Sequence, residues 1–246
     1  MRGDKPVLDD FSLRIDPQEH IAILGPNGCG KSTLIKTLTR ELYPVPRENS
    51  SIAILGRDRW NVFELRNLLG IVSNDLMALL TSETTGMDVV LSGFFSSTQI
   101  FDHHHVTPQQ RSLATQSLQR LGAAHLASRP VDELSSGEAK RILIARALVH
   151  QPRALILDEP TNSLDVSAQH GLRQTMRSLA QSGIGIVLVT HHVADIIPEI
   201  ERVVLMRSGK ILADGPKRKI LQPAALSRLF QTRVNLSRRD GYFHLW

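Results

Sequence analysis

Four short apolar runs alternate along the chain with longer stretches of mixed polarity. Ile21-Ala-Ile-Leu24, Leu69 to Ser73, Ala154-Leu-Ile-Leu157 and Ile184-Gly-Ile-Val-Leu-Val-Thr190 contain no charged residue. Continuous apolar runs of this length predict strands of a parallel sheet covered on both faces. Val7-Leu8 through Ile15 instead alternates apolar and polar residues and predicts an edge strand, and Ser51 to Leu55, ending at Gly56, predicts another short one. Thr107-Pro-Gln-Gln110 opens a helix: Thr107 can cap it, Pro108 suits its first position, and Gln110 can complete a capping box. Leu113, Leu118 and Leu121 supply its apolar face before Gly122 stops it. Arg202 to Met206, Ser208-Gly209 and Lys210 to Ala213 predict a hairpin, and residues 219–230 read as helix. The order of elements is α/β. One domain spanning 1–246 is expected, with a mainly helical subdomain at about 75–145 interrupting the strand series and no internal repeat.

Composition narrows the class. With 246 residues and 41% hydrophobic content the chain can bury a sizeable core, which excludes wholesale disorder. A single cysteine, Cys29, excludes an intrachain disulfide and suits a reducing compartment. The first residues lack the apolar stretch of a signal peptide, and no apolar run approaches the ~18 residues of a membrane span. A cytoplasmic location is therefore expected. The net charge of +5 is uneven: residues 207–246 hold nine Lys/Arg and two acids, while residues 1–206 hold twenty and twenty-two. A basic face over the whole domain is thus absent, and no direct nucleic-acid partner is expected. Lys217-Arg-Lys219 and Arg238-Arg239 read as solvated surface, with attraction to anionic headgroups as the alternative.

The candidate chemistry begins at Gly25-Pro26-Asn27-Gly28-Cys29-Gly30-Lys31-Ser32-Thr33, which fits G-x-x-x-x-G-K-[ST] in full between a strand and a helix. Glycines let backbone N–H groups turn inward around phosphate oxygens, and the helix N-terminus favours negative charge. Lys31 would reach the β- and γ-phosphates and the Ser32 hydroxyl would ligate Mg²⁺. Downstream, Asp158 and Glu159 close the Ala154–Leu157 run at the carboxyl end of a buried strand, where ligands bind in open α/β sheets. Asp158 suits Mg²⁺, and Glu159 is placed to deprotonate an attacking water.

Leu134-Ser135-Ser136-Gly137-Glu138, followed by Ala-Lys-Arg-Ile-Leu-Ile-Ala-Arg-Ala-Leu148, closely resembles the signature of ATP-binding cassette (ABC) ATPases. The remaining order matches that family as well: Asp158-Glu159, then Ser163-Leu164-Asp165 as D-loop, then His191 after a strand as switch histidine. The resemblance implies a P-loop NTPase with a RecA-like core, an antiparallel β-subdomain and a helical subdomain. It also implies that two cassettes sandwich two ATP, so that Ser135, Ser136, Gly137 and Glu138 address the ATP on the loop of a second copy or a related cassette. His191 would contact the γ-phosphate; its neighbour His192 carries no such role.

Two departures from the family pattern stand out. Where the family carries glutamine in the loop entering the helical subdomain, this chain has Asn74, one methylene shorter. Either the loop comes closer to Mg²⁺ or coordination weakens. No Tyr, Phe or Trp precedes Phe11, although the family stacks an aromatic residue on adenine there. Either the natural chain begins upstream of Met1, or ATP is held mainly through its phosphates. His103-His104-His105 lies in a polar loop without other ligands close in sequence, which does not predict a preformed metal site.

Three roles share this chemistry. The first is the peripheral ATPase of a membrane importer, held by separate permease chains at the inner face of the membrane. The others are an exporter subunit and a non-transport cassette acting on ribosomes or nucleic acid. Asp88-Val-Val-Leu-Ser-Gly93 and the end Asp240-Gly-Tyr-Phe-His-Leu-Trp246 resemble importers of metal chelates, including iron complexes. The third role usually comes with tandem cassettes or a coiled-coil insertion, and neither occurs here.

Overall fold

In the computed structural model, which describes residues 6–16, 18–45, 48, 50–73, 76 and 83–246, the buried runs form one six-stranded sheet. The strands are β1 (His20–Leu24), β2 (Leu69–Val72), β3 (Ala154–Asp158), β4 (Gly185–Thr190), β5 (Arg202–Arg207) and β6 (Lys210–Pro216). Their spatial order is β2-β3-β4-β1-β5-β6, parallel throughout except for the antiparallel β5–β6 hairpin. Ser208 and Gly209 form its two-residue turn with φ of 48° and 75°, the handedness that matches strand twist.

Alternate residues of each strand serve two cores. Ala22, Leu24, Leu155, Leu157, Ile186 and Leu188 face one. Ile21, Ile23, Ile156, Val187 and Val189 face the other. The first core is covered by α3 (Gly86–Ser92), α4 (Pro108–Arg120), α5 (Ser136–Leu148) and α6 (Val166–Gln181), and the second by α1 (Lys31–Leu38) and α2 (Val62–Leu68). The expected capping box at α4 is formed: the Thr107 hydroxyl accepts from Gln110 N at 3.2 Å, and Gln110 Oε1 accepts from Thr107 N at 2.9 Å. After α7 (Lys217–Ile220) and α8 (Pro223–Phe230), β7 (Leu236–Arg239) and β8 (Tyr242–Leu245) make a separate antiparallel pair. Among the described residues no helix is long and apolar enough to cross a membrane.

Three expectations are corrected. Residues 7–15 form no strand; Leu8, Phe11, Leu13 and Ile15 still pack against the second core. Alternation decides which side chains turn inward but does not supply a neighbouring strand. Residues 51–55 reduce to a single bridge, Ile54 with Arg57, around Leu55 and Gly56 at positive φ. The stretch 219–230 is two helices, because the residue before Pro223 is forced out of helical geometry: Gln222 has φ −126° and ψ 145°.

Candidate functional site

β1 delivers the 25–33 loop to the carboxyl edge of the sheet, and the loop feeds directly into α1. A Cβ on Gly25 would lie 2.2 Å from the carbonyl oxygen of Met206 on β5, so a side chain there would lift the loop off the sheet. Gly28 and Gly30 have φ of 77° and 109°, a region open to glycine without strain. The tip of the β5–β6 hairpin braces the loop, with Gly209 N donating to Cys29 O at 2.9 Å. Cys29 is buried against the second core, and burial pushes its thiol up. Pro26 is half-buried, Asn27 is exposed, and the Ser32 side chain is exposed on the first turn of α1, with Thr33 half-buried behind it.

Lys31 is buried and turns back over its own loop. Nζ donates to Gly25 O at 2.8 Å and Pro26 O at 3.2 Å, and lies 3.1 Å from Glu159 Oε1. Glu159 follows Asp158 off the end of β3 with φ 46°, a left-handed conformation that costs a non-glycine residue about 1–3 kcal/mol. Its backbone N donates to Val189 O at 2.8 Å, which pins this turn to β4. Glu159 Oε2 receives His191 Nδ1 at 2.7 Å and His191 N at 3.2 Å. A carboxylate only accepts, so Nδ1 carries the hydrogen. Residues from three motifs, at positions 31, 159 and 191, thus meet in one cluster.

The 134–138 turn makes a separate set of contacts. Ser135 is the N-cap of α5: its hydroxyl accepts from Glu138 N at 3.3 Å and donates to Glu138 Oε2 at 2.8 Å, while Ser135 N donates to the same oxygen at 2.9 Å. The Ser135 N–H and then its hydroxyl hold the Glu138 carboxyl below the usual carboxylate range. Ser135 and Ser136 remain exposed. Gly137 backs onto the start of α6, where an added Cβ would sit 2.9 Å from Ala168 Cβ. That helix is capped by Asp165, whose Oδ1 accepts from Ala168 N at 2.7 Å. Leu164 is buried, and Ser163 turns the chain at φ 65°. The signature turn therefore packs on the first turn of the helix that follows residues 163–165. One buried side chain of α5 reaches towards the first cluster: burial lowers the pKa of Lys140, and the Asp158 carboxylate works against that shift.

Asn74 lies outside the described residues. His104 stacks on Phe95 at 4.2 Å, and His103 stacks on Phe101 at 5.7 Å. Sequence reasoning missed Thr161, Thr190, Arg173 and Asp195, which join behind the cluster, and missed the hairpin tip against Cys29. No local spacing marks these residues, because they meet only when β3, β4 and α6 are assembled.

The fold and cluster define a nucleotide-hydrolysing cassette. The family model described as ABC transporter matches residues 8–162, and the chain belongs to that family as an ATP-binding ATPase. An uncharacterized ABC transporter ATP-binding protein of Bacillus subtilis is 31% identical over 242 residues, covering 96% of this chain and 89% of that one. The Hemin import ATP-binding protein HmuV of Hahella chejuensis is 32% identical over 241 residues, covering 94% and 89%. Among solved structures, a Clostridium perfringens part of the ABC transporter complex cbiONQ superposes with a TM-score of 0.74 at 28% identity, covering 90% of this chain and 86% of that one.

Proposed function

We propose that this chain is the energy-coupling ATPase of a metal-chelate importer. In this reading it is a single nucleotide-binding domain, with the helical segment at about 75–145 inserted in it. It lies peripherally at the cytoplasmic face of the membrane on separate permease chains. The observation that carries the chemistry is the contact of Lys31 and His191 with the two oxygens of Glu159 beside a glycine loop. The importer role is supported by similarity to the hemin import protein of Hahella chejuensis.

ATP is the substrate, and its phosphates would lie on the N–H groups of residues 25–33. Mg²⁺ would be held by the Ser32 hydroxyl and the Asp158 carboxylate, with Asn74 as a third donor. The exposed hydroxyl and the strand-end carboxylate fit, since this hard cation takes oxygen ligands. When bound it would neutralise charge on the β- and γ-phosphates. Lys31 would exchange Glu159 Oε1 for phosphate oxygens, so substrate itself would release the carboxylate from its ammonium partner. Glu159 would then accept the proton of the attacking water, and the His191 Nδ1–H bond would keep the other oxygen in place. Ser135, Ser136, Gly137 and Glu138 would close over the ATP held by a second copy, with Ser163, Leu164 and Asp165 at the same junction.

Glu159→Gln tests the assignment. It keeps shape but cannot take the proton, so MgATP affinity should change little while phosphate release falls about 10²–10⁴-fold. Near-normal turnover would remove Glu159 from the role. Tagged chain recovered from membranes should bring permease chains with it, and ribosomes instead would overturn the importer reading.

A further inference from the structure

Asp195 is 0% exposed, on the short 3-10 turn Val193–Asp195 just past His191. A buried carboxylate persists only where donors meet its oxygens. Oδ2 accepts from Thr161 Oγ1 at 2.6 Å and from Thr190 Oγ1 at 3.0 Å, and Oδ1 accepts from Arg173 Nη2 at 3.2 Å. Each donor comes from a different part of the site. Thr161 lies two residues beyond Glu159. Thr190 ends β4 immediately before His191, and its hydroxyl oxygen also accepts from His192 N at 3.0 Å. That hydroxyl is 3.4 Å from Glu159 Oε2, but its one hydrogen is committed to the shorter contact with Asp195. Arg173 sits about two turns along α6 from Asp165, the residue that caps it.

The last register pair between β3 and β4 is Asp158 with Val189. Beyond that pair, the turn bearing Glu159 and the turn bearing His191 leave the sheet. We propose that Asp195 is the positioning residue of the Glu159–His191 pair: through Thr161 and Thr190 it clamps the two turns to each other, and through Arg173 it fastens both to the helix that begins at the D-loop. The clamp rests on the reading of Glu159 and His191 as the hydrolytic pair. Its cost when broken is geometric, since a displacement of about 1 Å in a reacting group can lower a rate by about 100-fold.

Three substitutions in the full-length chain test this. Thr161→Val removes one hydroxyl at nearly constant shape, Asp195→Asn keeps an acceptor but loses the charge facing Arg173, and Asp195→Ala removes the acceptor that joins the three donors, leaving Arg173 Nη2 only its bond to Gln169 Oε1. Thr161→Val and Asp195→Asn should lower kcat about tenfold and Asp195→Ala about 100-fold, with KM for MgATP within about threefold of wild type. In a His191→Ala background, followed by single-turnover phosphate release, Thr161→Val and Asp195→Asn should cost clearly less, because half of what they position is gone. A purely structural role would instead give the same factor in both backgrounds. Should Asp195→Ala fail to fold, the two shape-conserving variants decide. Wild-type kcat in both, or losses that multiply with His191→Ala, would overturn the clamp. Normal hydrolysis by Glu159→Gln and His191→Ala would instead sink the reading of the pair. Loss in those two with normal Asp195→Asn would sink the clamp alone.

Discussion

The loop cluster and the signature turn differ in where their polar groups find partners. Lys31 and Glu159 are 6% and 13% exposed and satisfy each other inside the chain. Ser135 and Ser136 are exposed, and among the described residues the Ser135 hydroxyl and N–H are met by Glu138 of its own helix. The first region is a site in the making within one chain, with a buried cation, a carboxylate and an imidazole already in contact. The second presents a helix N-terminus, which attracts anions, without bringing it to the cluster. In the proposed reading the two regions meet only across a pair of cassettes, which makes the pairing of chains the property to test.

The sharpest way to break this comparison is to damage one half in each of two chains. Ser135→Arg puts a bulky cation on the signature turn, and Lys31→Ala removes the ammonium proposed to hold phosphate at the loop. Each protein alone should lose phosphate release. In their mixture a heterodimer pairs one intact loop with one intact signature, and part of the activity should return, provided one site can fire alone. Strong activity in Ser135→Arg by itself would show that the signature is not needed.

The motifs proposed for the site are legible because each is a run of consecutive residues. The 25–33 loop, the 134–138 turn and Asp158-Glu159 each form a spacing that can be read without a fold. The buried strands were legible for the same reason, since an uncharged run of four or more apolar residues states its own burial. What stayed hidden depends on assembly. Asp195 sits in Val193-Ala-Asp-Ile-Ile197, which reads as an ordinary apolar stretch, and its partners at 161, 173 and 190 come from three elements. The residue pattern at 11–15 marks the inward faces of Phe11, Leu13 and Ile15 but not the missing ladder. Pro223 was in plain view, and the two-helix outcome follows from it by local sterics alone.

Two glycines sharpen the comparison at the next level of effect. At Gly25 the obstacle to a Cβ is the Met206 carbonyl, part of a strand that cannot retreat. Gly25→Ala should destabilise the protein by about 1–3 kcal/mol and weaken nucleotide binding, read by thermal unfolding and by titration with ATP. At Gly137 the obstacle is one methyl, Ala168 Cβ, at the first turn of α6. Gly137→Ala should therefore leave ATP affinity close to wild type and lower turnover through the contact of the signature turn with the start of α6. Equal loss of affinity in both variants would mean that the two regions are not separable.

The smallest expected effect separates the structural from the chemical duty of Ser135. Its hydroxyl caps α5, and Ser135→Ala should cost about 1 kcal/mol at neutral pH. For a domain of this size that is a fall of about 2–4 °C in Tm. The cost is pH-dependent with a definite sign. The folded protein holds the Glu138 carboxyl low, first through Ser135 N–H and then through the hydroxyl. This stabilisation is present above the ordinary carboxylate range and is lost as pH falls through the lowered folded value. The alanine variant keeps the N–H and loses only the hydroxyl, so the gap between the two proteins should be widest near neutrality and narrow in acid. A gap that is constant with pH would detach Glu138 from the cap. Turnover adds the second reading at neutral pH, well below either Tm. If phosphate release falls no further than the folded fraction does, Ser135 is a helix cap alone; if it falls further while ATP affinity holds, its hydroxyl also serves the composite site.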